Sequence, residues 1–364
     1  MLKALFKAIA TVVTVLMIGA AGAQADWESE WAKIVAAGKQ EGKVVLYGGY
    51  NPIYRDYSRT FEKKFPGIKV EFVPGGGSQH AVRILAERRA GKYLADVVMG
   101  GATTFQNYPD GTFDPLLPHL ILPEVKDPSA WLGGGLPFID AAGKYVLSSR
   151  GSVGRGIAYN TKLVKPKEIQ AWRDLLKPQW KGKILRQNRR NAVSNTLIFF
   201  YHSKELGPQF LKDLFSDKRV LETQNRRQAI NWLAEGKVLL YLDATPRGIN
   251  KAKKKGLPVD FIRHPLKEAS LIAGGYCCMA ILDRAPHPNA SKVLINWMLS
   301  KEGQIEYQKV TKENSLRVDI PKNGLRKSIV PQPGGKYFHA DLSRYSQPED
   351  LKKIRKIVQQ AKKR

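Results

Sequence analysis

Lys43-Val-Val-Leu-Tyr47-Gly48-Gly49-Tyr50-Asn51-Pro52, Ile68-Lys-Val-Glu-Phe-Val73-Pro74-Gly75-Gly76-Gly77-Ser78-Gln79 and Ala95-Asp-Val-Val-Met99-Gly100-Gly101-Ala102-Thr103-Thr104 repeat one pattern. Each is a short apolar, largely β-branched run that breaks into a glycine-rich turn. Between them lie helical stretches. Arg55 to Lys64 carries Tyr57 and Phe61 at a spacing of four, extended by Phe65, so they share one helix face. Pro66-Gly67 stops that helix. Val82 to Arg89 is predicted to be helical as well. Strand, glycine loop and helix recurring in this order predict an α/β sheet, whose ligands sit at the carboxyl ends of the strands. Glycine lets backbone approach a ligand closely, and the free N–H groups of a helix start favour anions. The same glycines also serve as plain tight turns, and spacing alone does not name a ligand.

The 364 residues are enough for one large or two medium domains, and the 43% hydrophobic share is that of a chain with a real core. Residues 1–25 differ from the rest. Lys3 and Lys7 precede an apolar run, Ala8 to Ala21, and Ala23-Gln24-Ala25 fits the small-x-small cleavage rule. This predicts a secretory signal peptide, hence an exported, periplasmic protein. The run is short for a membrane span, and no other segment is long and apolar enough. The only cysteines, Cys277 and Cys278, are adjacent in an apolar run; they are expected to be small buried residues rather than a bridge.

The formal charge is +28. Losing Lys3 and Lys7 with the leader leaves the chain strongly basic. Lys251 to Lys255 and Lys352 to Arg364 are the densest runs. Such a balance suits nucleic acid, an acidic surface or an anionic solute. Interleaved aromatics and nucleic-acid motifs are missing, and export makes nucleic acid a poor partner.

Further along, residues 105–142 read as loop, and Tyr145–Ser149 and Gly156–Tyr159 as strands around the turn that holds Arg150. Trp172 to Leu176 is expected to start a helix. Ser194 or Asn195 can cap an apolar helix from Leu197 to Tyr201. Val238 to Leu242 is a buried strand that breaks at Asp243-Ala244-Thr245-Pro246-Arg247-Gly248. Leu271 to Ile281 is apolar and able to run between lobes.

Taken together, Gly42-Lys-Val-Val-Leu-Tyr47, Phe61-Glu-Lys-Lys-Phe-Pro-Gly-Ile-Lys-Val-Glu71, Ala95-Asp-Val-Val98 with Gly100, Gly156-Ile-Ala-Tyr-Asn-Thr-Lys162, Trp172-Arg-Asp-Leu-Leu176 with Trp180-Lys-Gly-Lys-Ile184, and Ser300-Lys-Glu-Gly-Gln304 resemble periplasmic solute-binding proteins of ABC importers. The resemblance is to the iron(III)-type, extracellular solute-binding family 1 branch, which also includes binders of phosphorylated and phosphonate solutes. It covers nearly all of residues 41–320. It implies the two-lobed periplasmic binding protein fold of type II: two mainly parallel sheets flanked by helices, joined by crossing hinge strands, closing on one solute. Residues 26–140 with 265–320 would form lobe 1, and 141–264 lobe 2. Residues 321–364 would be an extension whose helix packs on lobe 2. The implied partner is an inner-membrane permease, and the protein is expected to act as a monomer.

Iron-binding members place two adjacent tyrosines after the strand matching Val238–Leu242. This chain has Thr245-Pro246-Arg247-Gly248 there and no tandem tyrosine anywhere. Phenolates suit a hard trivalent cation; a guanidinium in their place suits phosphate or carboxylate. The expected solute is therefore a small anion, with ferric iron as the alternative. Arg247 and Arg150 are its candidate cations. Gly49, Gly77, Ser78, Gln79, Gly101 and Thr103 supply backbone, hydroxyl and amide donors. Tyr50 covers the site, Ser194 and Asn195 sit at a helix start, and Asp243 holds Arg247 or the solute. No cofactor or metal motif is present. An exported hydrolase is the competing class, but the six histidines are scattered and no G-x-S-x-G elbow occurs. Ser78 beside His80 is the one catalytic hint.

Overall fold

A computed structural model describes residues 26–105, 108–154, 156–188, 193–244, 246–339, 341–342, 345 and 347–363; the side chains of Thr103, Pro246, Arg247 and Ala273 fall outside the description. The expected leader, 1–25, thus lies outside the described residues. Among the described residues no helix is long and apolar enough to cross a membrane. The chain forms two compact units. Unit 1 takes the residues up to Pro137, Lys144–Ser149 and Tyr276–Pro321. Unit 2 takes Phe138–Gly143, Arg150–Gly275 and Lys322–Arg364.

In chain order, unit 1 contains helix α1 (26–41), β1 (Lys43–Gly48), α2 (Pro52–Lys64), β2 (Lys69–Pro74), α3 (Gly77–Arg89), β3 (Val97–Gly100), the short α4 (Ala102–Phe105) and α5 (Pro123–Lys126), and β4 (Leu147–Ser148). Unit 2 follows with β5 (Ser152–Val153), β6 (Ile157–Asn160), β7 (Ile184–Gln187), α6 (Asn195–His202), α7 (Gly207–Phe215), β8 (Val220–Thr223), α8 (Arg226–Ala234), β9 (Leu240–Leu242), α9 (Pro246–Lys254), β10 (Val259–Phe261) and β11 (Ser270–Ala273). The chain returns to unit 1 for β12 (Cys278–Ile281), α10 (Pro288–Leu299) and α11 (Lys301–Thr311). It ends in unit 2 with β13 (Tyr337–His339) and α12 (Pro348–Ala361).

The unit 1 sheet has the order β2-β1-β3-β12-β4. β1 is parallel to both β2 and β3, while β12 is antiparallel to β3 and β4. The expected apolar face of α2 is real: Tyr57 and Phe61 are buried and pack on Trp297 of α10 at ring separations of 5.2 and 5.5 Å. The fully buried Asp96 ties this unit together. It accepts the Val45 N–H at 2.7 Å and both the backbone and ring N–H of His287 at 2.7 and 2.8 Å.

The unit 2 sheet runs β10-β6-β9-β7-β8, with β7 parallel to β8 and β9. Its strands show the period of two that a sheet covered on both faces requires. Ile157, Ile184, Leu240 and Leu242 enter a core with α6, α7 and α12. Ala158, Leu185 and Tyr241 enter the other core, under α8 and α9. Helix α12 contributes Ile354, Val358 and Ala361 to the first of these. A second, three-stranded sheet, β13-β11-β5, draws residues 270–273 into unit 2, whereas the sequence reading grouped 265–320 with lobe 1.

Two local expectations change. Trp172–Leu176 is a 3-10 turn rather than the start of a longer helix: the Asp174 carboxylate caps it by taking the N–H groups of Gln170 and Ala171 at 2.7 and 3.0 Å, but Pro178 keeps it from extending. Cys277 and Cys278, expected as unbridged residues, form a disulfide with each other. Both are at most 1% exposed, and the chain contains no other cysteine to compete for either sulfur.

Candidate functional site

The registers Gly48↔Pro74 and Tyr47↔Val98 end β1, β2 and β3 at one edge of the unit 1 sheet. The turns holding Gly49, Gly77 and Gly101 therefore share that carboxyl edge. None of the glycines from Gly48 to Gly101 in these turns has a positive φ. Close packing explains four of them instead. A Cβ on Gly48 would meet the Phe72 ring at 2.5 Å, and one on Gly49 would meet Tyr276 at 2.9 Å and Tyr54 at 3.0 Å. On Gly75 it would strike His80 at 2.4 Å, and on Gly77 Thr104 at 2.2 Å.

Helix α3 begins at Gly77, so Ser78 and Gln79 occupy its first turn rather than a loop. The Gln79 side-chain oxygen reaches back to accept the Gly76 N–H at 2.9 Å, which explains how three glycines lead into a helix. The same oxygen accepts the hydroxyl of Tyr50, a residue 63% exposed. Ser78 is exposed while His80 is buried, stacks on Tyr47 at 4.9 Å and points Nε2 at the Gly48 carbonyl, 3.0 Å away. The two therefore face apart, and the nucleophile–base pair suggested by their proximity in sequence does not form. Burial pushes the His80 ring below its ordinary range. Gly101 leads into α4, whose residue Thr103 has no described side chain.

In unit 2, the parallel strands β7, β8 and β9 end together. Asp243 follows β9 in the left-handed region, at φ 62°, a conformation that aspartate tolerates better than most residues. It accepts the Thr196 hydroxyl at 2.5 Å, and its other oxygen lies 3.8 Å from Nε of Arg186. Ser194 caps α6 by accepting the Leu197 N–H at 3.4 Å. Asn195 donates its amide to Asp341 at 2.9 Å, and Asp341 also accepts the Gly274 N–H at 3.3 Å. Arg150 is 1% exposed at the start of unit 2. Arg247 lies in α9, but its side chain is outside the description.

Sequence reasoning missed the charged residues that organise this edge. The Arg186 guanidinium, nearly buried, donates to Glu222 at 3.0 Å, and Lys362, which caps the end of α12, donates to the other Glu222 oxygen at 2.6 Å. Asn188 adds a third donor at 2.8 Å. Burial alone would raise the Glu222 carboxyl; its hydrogen bonds from Lys362 and Asn188 and the charges of Lys362 and Arg186 win and hold it below the ordinary range. The usable signal was an arginine inside the apolar strand run Ile184-Leu185-Arg186.

Two α/β units whose parallel strands end in loops and helix starts define a binding protein of the periplasmic type. The chain belongs to the bacterial extracellular solute-binding protein family, whose model matches residues 18–305. It is similar to "Iron uptake protein A1" of Synechocystis sp., 26% identical over 205 residues, or 54% of this chain and 51% of that one. The chain thus spans about half the length of this curated relative. Its fold resembles the Trichodesmium IdiA (FutA) structure in complex with iron and citrate, at 19% identity and TM-score 0.64, covering 88% of this chain and 99% of that one. It also resembles AfuA of Actinobacillus pleuropneumoniae with fructose-6-phosphate bound, at 19% identity and TM-score 0.54, with the same coverage.

Proposed function

We propose that this chain is the solute-binding component of an ABC importer. In this reading it works in the periplasm as a monomer. It binds one small anionic solute, phosphorylated, phosphonate or carboxylate, and delivers it chemically unchanged to a membrane permease. The observation that carries the anionic reading is the burial of Arg150, only 1% exposed. Arginine stays protonated in proteins, so this is a permanent positive charge in the protein interior, of the kind that pairs with phosphate or carboxylate. The first turn of α3 adds backbone donors at Gly77 and Ser78 at the unit 1 strand ends, while the Gln79 N–H is used on the Gly76 carbonyl at 2.9 Å and Gln79 would offer its side-chain amide. Arg247, Asp243, Asn195, Ser194, Gly49, Tyr50, Gly101 and Thr103 complete the proposed set.

A thermal-shift panel on protein refolded free of solute tests this, with sugar phosphates, phosphonates, dicarboxylates, citrate and iron(III) citrate. A solute at a hundred times its Kd stabilises by about 2.7 kcal/mol. The Arg247→Ala variant is expected to lose a charge-assisted contact worth roughly 1.5–3 kcal/mol, or about ten- to hundredfold in Kd. Unchanged affinity would remove Arg247 from the site.

A second reading, ferric iron, has its own support. Tyr54 and Tyr276 stack at 4.9 Å beside Gly49, with Tyr50 next to Gly49 in the chain. Tyr54 and Tyr276 stand together without being a tandem pair. The names "Iron uptake protein A1" and the iron–citrate complex of the Trichodesmium protein point the same way. A stabilisation that needs iron and brings a visible phenolate-to-iron absorption band, lost in Tyr276→Phe, would establish this reading over the first.

A further inference from the structure

Unit 2 contains a concavity lined by none of the candidate residues above. Its volume is about 90 Å³, against the roughly 10–15 Å³ that one water needs. Trp172, Phe261, Leu271 and Ile329 form an apolar floor. The sheet fixes one wall: Phe261 ends β10, and the Ile262 N–H donates to the Ile157 carbonyl at 2.9 Å. The extension supplies the other, through Arg326 and a 3-10 turn, Lys327–Ile329.

The polar lining groups are Asn250, Arg263, His264, Ser270, Arg326 and Ser328, and no carboxylate lines the pocket among the described residues. Asp260 is the nearby acid. It accepts Arg263 at 2.6 Å and Lys253 at 2.5 Å, so two cations share one carboxylate and the surplus is positive. His264 uses Nε2 on the Ile169 carbonyl, 2.6 Å away, which leaves Nδ1 as its other polar atom. Arg326 is exposed at the mouth. An apolar floor gives water few partners, and small-ligand sites typically combine such a lining with a few placed polar groups.

We infer that this pocket binds a small organic monoanion with an apolar body, such as an aromatic or short branched carboxylate. The body sits on the Trp172, Phe261 and Leu271 floor, and the carboxylate meets the guanidinium groups of Arg326 and Arg263, whose planar forks match it. This site is separate from the solute site proposed above. It also gives Arg326, Ser328 and Ile329 of the extension a role as one wall of a ligand pocket.

Benzoate is the test probe, followed on the full chain by saturation-transfer NMR and by Trp172 quenching, which Trp172→Phe assigns. Benzyl alcohol keeps the ring without the charge; acetate keeps the charge without the ring. Benzoate is expected to bind saturably, and both controls roughly tenfold or more weakly. Arg326→Ala, at an exposed position, should weaken benzoate by about tenfold, and Ser328→Trp should block the mouth and abolish binding. Equal binding of benzyl alcohol or acetate overturns the inference, as does benzoate binding that survives both variants. Competitive displacement of benzoate by a solute from the thermal-shift panel also overturns it, while leaving the anionic solute reading intact. A panel in which no anion binds, beside saturable benzoate at this pocket, does the reverse.

Discussion

At the carboxyl edge of β1, β2 and β3 the space beside four glycines is filled by a ring or a threonine: Phe72 at Gly48, Tyr54 and Tyr276 at Gly49, His80 at Gly75, Thr104 at Gly77. At the carboxyl edge of β7, β8 and β9 the partners are charges, and two of them come from the tail. Lys362 reaches Glu222 across 140 residues, and Asp341 reaches Asn195 across 146. One edge is held by steric fit, the other by an ion-pair network closed by the extension. The first should respond to volume and the second to charge, and each can be perturbed alone.

The largest effect is expected from Arg186→Ala. It leaves Asp243 and Glu222 without their nearly buried partner, and breaking such a pair costs about 3–5 kcal/mol. Hydrogen exchange can localise the damage. The Asn188 N–H, donated to the Thr223 carbonyl at 2.9 Å, reports on the unit 2 edge. The Gly75 N–H, donated to Gly48 at 2.8 Å, reports on unit 1. Asn188 should lose protection and Gly75 should not. Equal loss at both would mean that the edges do not respond independently.

The steric counterpart is Gly77→Ala. Its Cβ would overlap the Thr104 methyl and hydroxyl, and overpacking of this kind costs about 1–3 kcal/mol. Thr104→Ala removes both atoms, so the double variant should recover much of that loss. Simple additivity in the double-mutant cycle would show that Gly77 is needed for something other than this contact.

Acid should separate the edges next. The His80 ring is lowered, first by burial, so the unfolded chain takes up its proton before the folded one. Its contribution is complete above the ordinary value of 6.5 and declines as pH falls below it. Glu222 is lowered too, so its contribution is complete above the ordinary 4.5 and is lost only as pH falls through its depressed folded value. Between those two values the Gly75 protection factor, corrected for the intrinsic slowing of exchange in acid, should fall while that of Asn188 stays unchanged. The opposite order would contradict the assigned environments.

Unit 1 was legible because its cues are neighbours in sequence. A β-branched run, a glycine turn and a helix face with Tyr57 and Phe61 all fall within one stretch; the strand order, with β12 antiparallel beside β3, was not read from them. The start of α3 at Gly77, five residues before the expected Val82, was not legible, since it depends on the Gln79 side chain folding back onto Gly76. The unit 2 strand-end edge was legible only as positions. Ser194, Asn195 and Asp243 lie at strand or helix ends as expected, but Arg186, Glu222, Lys362 and Asp341 gain meaning only when the tail is folded over the sheet. No local pattern encodes a contact made 140 residues away. The disulfide was missed for a related reason: general geometry argues against adjacent pairing, and only the buried turn into β12 puts the two sulfurs together.

The smallest effect is expected at the other tail contact. Asp341 accepts the Asn195 amide and the Gly274 N–H, joining the start of α6 to the segment that leaves β11. Asp341→Ala removes both acceptors, each worth about 1 kcal/mol. Water can replace part of this, because the Asn195 contact is only partly buried, so a net loss of about 1 kcal/mol is the expectation. The informative readout is local rather than global. If the tail positions α6, exchange should accelerate at the Gly274 N–H and in the first turn of α6 while the Gly75 reporter stays fixed. Asn195→Ala should reproduce the change in α6 but spare Gly274. A variant that lowers global stability without touching either amide would reduce Asp341 to a general packing residue and leave Lys362 as the tail's tie to this edge.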